Sequence, residues 1–168
     1  MTTFSIEIKN QSIYHLDEST RMLKKCWEQL KEHDLWKKPS ESTNSIGNLI
    51  LHLCGNITQY IISSLGKQAD SRERDKEFST KGGYNKAELL QKMVTTVETA
   101  KKVIEQASEE DLLQKRNVQG FHFSGIGIIL QVVEHYSYHT GQIALLTKSY
   151  YNKDLGFYDG FDLLVKND

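Results

Sequence analysis

The sequence predicts an all-α protein, a four-helix bundle with long crossover connections. Three observations carry that expectation. Only one proline, Pro39, interrupts 168 residues. Four segments place apolar side chains at the 3.6-residue period of a helix buried on one face. Two polar stretches, each long enough to run the length of a helix, separate the last three of those segments. A chain of this length fits a single domain over 1–168 and buries enough surface to need no disulfide or structural ion.

The first helix is expected over 10–33, where Leu16, Ser19, Leu23, Trp27 and Leu30 recur at helical spacing. Pro39 closes that region by disfavouring helix at the residue before it. The second is expected over 45–65, capped by Thr43, Asn44 or Ser45, with Ile46, Leu49, Ile50, Leu53, Ile57, Tyr60 and Ile61 as its stripe. Gly66 stands where a glycine often ends a helix. The third is expected over 85–107, opened by a capping box from Asn85 to Glu88. The fourth begins at Ser124 or Gly125 and reaches Tyr150, so Gly125-Ile126-Gly127 reads as a helix start and not as a dinucleotide fingerprint. Connections 67–84 and 108–124 read as loops, and the alternating charges from Arg72 to Glu77 as a solvated one. The aromatic tail 151–168 is expected to pack across the bundle.

Composition narrows the function. Lys and Arg number 21 against 22 Asp and Glu, a net charge of −1 that offers no general attraction to nucleic acid or an anionic membrane. No segment has the uninterrupted apolar length of a membrane span. Cys26 and Cys54 are isolated and form no CxxC motif, which suits reduced thiols in a cytoplasmic protein whose start lacks a signal-peptide pattern.

The six histidines separate by helix face. Taking His135 as zero at 100° per residue, Ile128, Gln131, Val132, His139, Gln142, Ile143 and Leu146 fall within about 80° of it. This is the most apolar face of the fourth helix, yet it carries two His and two Gln. Such polarity is costly to bury without partners. Two histidines at i and i+4 converge on one point, as metal ligands do, although a pair of hydrogen-bonded core histidines has the same spacing. His52, on the shoulder of the second helix's stripe beside Asn56, is the candidate third ligand. Three neutral imidazoles leave one position open, the pattern of a catalytic rather than a structural zinc site; nickel or iron accepts the same donors. His15 and His33 read as solvated or capping, His122 as a loop residue, and Glu134 as a surface group or a partner of a ligand.

Asn48-Leu49-Ile50-Leu51-His52-Leu53, followed some 80 residues later by Glu134-His135-Tyr136-Ser137-Tyr138-His139-Thr140-Gly141-Gln142-Ile143, resembles the DinB/YfiT-like superfamily of small metalloproteins. Arg72 to Phe78, with Gly83 and Glu88-Leu89-Leu90, resembles an uncharacterised branch of it. The resemblance implies a bundle with non-standard helix order and a metal held by His52, His135 and His139. It further implies a zinc or nickel ion, a homodimer, and a small-molecule substrate. Relatives include metal-dependent transferases that use a low-molecular-weight thiol as co-substrate, and others described as metal-dependent hydrolases. Gln131, Gln142 and Asn48 are the candidates for orienting substrate or ligands, a plain helix-surface role being the favoured reading of Asn48. No second titratable group on these faces offers a general base, which favours thiol transfer over hydrolysis. A stress-related metal-binding protein without catalysis is the remaining reading.

Overall fold

The computed structural model describes residues 2–167. It is mostly helical, as expected, but it adds a small hairpin and two short helices where loops are predicted. In chain order it has α1 (Thr3–Gln29), a 3₁₀ turn (Glu32–Asp34), α2 (Ile46–Ile57) continuing as a π-helix (Thr58–Leu65), α3 (Arg74–Ser79), α4 (Lys86–Gln106), α5 (Glu109–Leu113), β1 (Lys115–Val118), β2 (Phe121–Ser124) and α6 (Gly125–Tyr151). α1 packs on α6, and α2 lies between α4 and α6.

α1 begins seven residues earlier than the periodicity indicates, with Thr2 as its cap. Its first turns bury Ser5, Lys9 and Ser12, which carry no apolar stripe. Lys9 is buried because its ammonium donates to the carbonyls of Glu105 and Ala107 at 2.8 and 3.0 Å, closing the end of α4. The helix also stops short of 33, since Leu30 is extended and Asp34 turns back to accept from the Lys31 amide at 2.8 Å.

α2 is buried on nearly every side: of its 12 residues only Gly55 is not fully buried. Its capping box is reciprocal. Ser45 Oγ accepts from the Asn48 amide at 3.1 Å, and Asn48 Oδ1 accepts from the Ser45 hydroxyl at 2.7 Å. Gly66 does end the helical run, but not by the left-handed turn a C-terminal glycine usually supplies. Its φ is −80°, and Lys67 takes the left-handed conformation at 56°. Glycine is needed at 66 for space, because a Cβ there would stand 2.5 Å from the Ile62 carbonyl oxygen.

Connection 67–84 folds into α3, and 108–124 into α5 and an antiparallel hairpin pairing Arg116 with Phe123 and Asn117 with His122. Gln119 and Gly120 hold the positive φ angles of its tight turn, at 51° and 83°. The tail behaves as expected only in its first part. Leu155 is buried, and Arg21 donates to the Phe157 carbonyl at 2.8 Å, whereas Phe161, Leu163, Leu164 and Val165 are exposed. Among the described residues no helix is long and apolar enough to cross a membrane.

The α5 turn depends on one carboxylate. Asp111 pairs with Lys67 at 2.7 Å and Arg116 at 3.2 Å and accepts from the Ser108 hydroxyl at 2.8 Å. The Lys67 and Ser108 hydrogen bonds hold its pKa down at about 2, from an ordinary 3.8. A folded-state pKa below the unfolded one adds stability that is present above 3.8 and lost as pH falls through 2. Asp111→Asn should therefore melt below the wild type at pH 6, and the gap should close by about pH 2, as followed by thermal circular dichroism.

Candidate metal centre

His52 on α2 and His135 and His139 on α6 meet as the sequence indicates. One ring nitrogen from each lies within 4.8 Å of the other two, and among the described residues no other His, Cys, Asp or Glu joins the group. His52 Nε2 and His135 Nε2 are 2.9 Å apart. His139 stands edge-on to both rings, with centroids 4.5 Å from His135 and 5.0 Å from His52. Nitrogens around one tetrahedral ion, at about 2.0–2.1 Å from it, stand about 3.3 Å apart, so small ring movements bring this set onto one cation. His52 and His139 are buried, and His135 is half-buried at the mouth.

Two of the three rings have their outer nitrogen held, which fixes the inner one as a lone-pair donor. His52 Nδ1 lies 2.9 Å from Glu77 Oε2, and a carboxylate only accepts, so Nδ1 carries the proton and Nε2 is free for a metal. The Arg72 guanidinium also lies 3.2 Å from that nitrogen, but it only donates and finds its acceptors on Glu77. His139 Nδ1 donates to Gln142 Oε1 at 2.7 Å, three residues along α6. Burial, then the neighbouring His139 and His52, pushes the His135 imidazole down to about 4. Burial also lowers the His139 pKa, so both α6 imidazoles favour the neutral, ligating form.

The support for His52 overturns two expectations. The Arg72–Glu77 run is solvated only in its middle, where Glu73 to Lys76 are exposed, whereas Arg72 and Glu77 turn inward. Arg72 and Glu77 side chains are 3% and 8% exposed and form a two-point pair, Nε to Oε1 at 2.7 Å and Nη2 to Oε2 at 2.9 Å. Arg72 Nη1 donates onward to Gln59 at 2.9 Å. Burial alone would raise the Glu77 pKa, but the hydrogen bonds from Arg72 and His52 outweigh it and hold the carboxylate below its ordinary value. Asn48 is not a helix-surface residue either. It is fully buried, and its Nδ2 donates to the carbonyls of Glu77 and Thr80 at 2.9 and 2.7 Å, tying the end of α3 to the start of α2. Asn48 therefore bonds none of the imidazoles and instead holds the backbone that carries Glu77.

Phe78 closes the site on one side, its ring 4.8 Å from His52 and under the Arg74 guanidinium at 5.0 Å. Tyr138 stands edge-on to His139 at 4.9 Å, exposed to solvent. Of the remaining candidates, Gln142 holds His139, whereas Gln131 lies half-buried one turn before His135 and bonds none of the imidazoles. Glu134 points away, into a groove between α1 and α6 that it shares with His15. His33 is exposed beside Asp34, and His122 bonds Asn117 across the hairpin at 2.7 Å. The sequence gives no sign of Glu77, Arg72, Gln59 or Phe78 as site residues. Glu77 and Phe78 lie on the separate short helix α3 and Arg72 just before it, and a contact across 25 residues leaves no periodic trace; Gln59 joins them only through Arg72.

With this geometry in view, comparison with known proteins places the chain. Residues 3–157 match the model of DUF1572, described as a protein of unknown function. The chain belongs to that family. No curated protein matches it. It is similar to the DinB-like protein YjoA of Bacillus subtilis, at 18% identity over 88% of this chain and 96% of that one, with a TM-score of 0.68. A conserved protein of Enterococcus faecalis is similar at 14% identity over 91% and 99%, with a TM-score of 0.74. The DUF1572 chain is thus DinB-like in fold, and its three-histidine cluster is compatible with metal binding.

Gly55 is the residue that admits the Glu77 support. A Cβ there would stand 1.9 Å from Glu77 Oε1 and 3.0 Å from Arg72 Nε, so an alanine must displace the carboxylate. Groups that hold a ligand's outer nitrogen are worth roughly 10–100-fold in metal affinity. Gly55→Ala and Glu77→Ala should each weaken Zn²⁺ binding by about that factor, measured by competition with a chromogenic chelator. Affinity unchanged in both would show that Glu77 does not set the site.

Proposed function

We propose that His52, His135 and His139 hold one divalent cation, zinc or nickel, and that this DinB-like chain transfers a low-molecular-weight thiol to small electrophiles. The observation that carries the reading is a cluster of three protein ligands with no fourth among the described residues, two of them locked in the ligating tautomer by Glu77 and Gln142. Structural zinc sites are closed by four protein ligands, and catalytic ones keep a position open. A divalent cation held this way lowers the pKa of a thiol or water at the open position towards neutrality.

The protein's own groups favour the thiol. Water needs a base to take its proton, and the one carboxylate at the cluster, Glu77, spends its oxygens on His52 and Arg72. Both of those bonds stabilise its ionised form, so it is a poor proton acceptor. Glu134 faces the other side of α6. A thiol, with an ordinary pKa of about 8.5, is far closer to ionising than water and needs less help. Phe78 packs against His52 and gives the cluster one apolar wall.

The same reading extends to assembly and location. Helices α1, α2, α4 and α6 form the DinB-type bundle. Leu130, Tyr138 and Leu145 are exposed along one side of α6, an apolar strip suited to a second copy of the chain. Cys26 and Cys54 are buried free thiols, in keeping with the reducing cytoplasm.

Two outcomes follow. Protein purified without an affinity tag should contain close to one metal per chain, by elemental analysis. Zn²⁺ at about 100 times its Kd should stabilise the chelated protein by about 2.7 kcal/mol. For a domain of this size that is a rise of about 5–11 °C in Tm, and His135→Ala should show none. The metal-loaded protein should also join 2-mercaptoethanol to 1-chloro-2,4-dinitrobenzene, forming the S–C bond and releasing chloride and a proton. Its absorbance-monitored rate should stop with chelator and fall to background in His135→Ala. Turnover of an ester or amide with no thiol present would assign a hydrolase instead. Metal below about 0.1 per chain, with Tm unmoved by chelator, would leave a non-catalytic protein.

A further inference from the structure

Asn56 lies one turn after His52 on α2 and is 4% exposed, yet its Oδ1 is buried with no hydrogen-bond partner. Buried carboxamides of native proteins are nearly always bonded, because an orphaned acceptor forfeits its hydration for nothing. Its place on the helix gives the side of α2 from which Asn56 projects. At 100° per residue Asn56 sits about 40° from His52 and about 20° from Leu49 around the helix. Both neighbours face α6: His52 meets His135, and Leu49 shares a cavity with Gln142 and Leu146. Asn56, between them in azimuth, faces α6 as well.

The helices run antiparallel. Leu49, early in α2, lies against the end of α6, whereas Tyr60, in the π-helical continuation, donates to Gln119 just before α6 at 3.0 Å. One turn after His52 is therefore level with one turn before His135, where half-buried Gln131 sits among the aliphatic Ile128 and Val132. Ile128 and Val132 have no donor to give, and Gln131, which has one, does not bond the Asn56 oxygen.

We infer that Asn56 Oδ1 receives a donor from the small molecule that occupies the open position beside the three imidazoles, with Gln131 lining the same end. This rests on the metal and thiol reading above and sharpens it to a chemical class. The thiol carries a hydroxyl or N–H group two or three carbons from its sulfur, a reach on the order of the one helical turn, about 5.4 Å, that separates His52 from Asn56. A thiol offering only C–H groups leaves the oxygen orphaned.

The test compares 2-mercaptoethanol with 1-propanethiol, which have the same length and differ in hydroxyl against methyl. Each is titrated into Co²⁺-loaded protein, and binding is read from the sulfur-to-cobalt charge-transfer absorbance. The ratio of the two Kd values cancels what the thiols share. Asn56→Leu should shift that ratio against 2-mercaptoethanol by about 5-fold, the usual worth of one hydrogen bond, with cobalt stoichiometry unchanged. Asn56→Ser, too short to reach, should shift it in the same sense and serves if the leucine variant does not fold. An unchanged ratio would mean that the oxygen binds only an internal water, and loss of cobalt that it only shapes the ligand cluster; either overturns the inference. Absence of the band with both thiols, cobalt being bound, overturns the thiol-transfer reading and the inference with it.

Discussion

The bond from His52 Nδ1 to Glu77, braced by Arg72, is the contact on which the rest of the centre depends. It joins the buried helix α2 to the short helix α3, 25 residues further on, and to the polar stretch just before α3. A carboxylate and a guanidinium are costly to bury, and removal of one partner strands the other. Here the two-point geometry and the bond to an imidazole satisfy both, and the pair in turn selects the tautomer that presents Nε2 to the cluster. Without it His52 would be one more shoulder residue of α2.

That pair requires room, and the room comes from backbone rather than side chain. Gly55 lets the Glu77 carboxylate lie against α2 at a distance no other residue permits. Asn48 then uses the same amide for two tasks, closing the cap of α2 through its oxygen and the end of α3 through its nitrogen. Local helix capping and the orientation of a candidate metal ligand are therefore one hydrogen-bond network, and neither is separable from the other.

On α6 the arrangement is simpler, because every participant belongs to one helix. His135, His139 and Gln142 follow helical spacing, so the hydrogen bond from His139 to Gln142 is a local consequence of sequence. This is why the α6 half of the cluster was legible in advance, along with the capping box at Asn85 and Ser45 as one of three cap candidates. The start of α1 was not legible, since Ser5, Lys9 and Ser12 are buried through hydrogen bonds instead of apolar contact. The α5 turn and the hairpin escaped for a related reason. Their segments are short, and their order comes from packing on α6 and the π-helix.

By itself the sequence determined a helical protein, the register of its four long helices, and the three histidines that share a face or a shoulder. Those properties depend on residues a few positions apart, where the 3.6-residue period links spacing to direction. The tertiary structure alone decided that Arg72 and Glu77 turn inward at the ends of their run, that Asn48 ties two helices together, and that Asn56, one turn after His52, buries an unbonded oxygen. Each of those is a contact between elements, set by how α2, α3 and α6 pack, and no period along the chain encodes it.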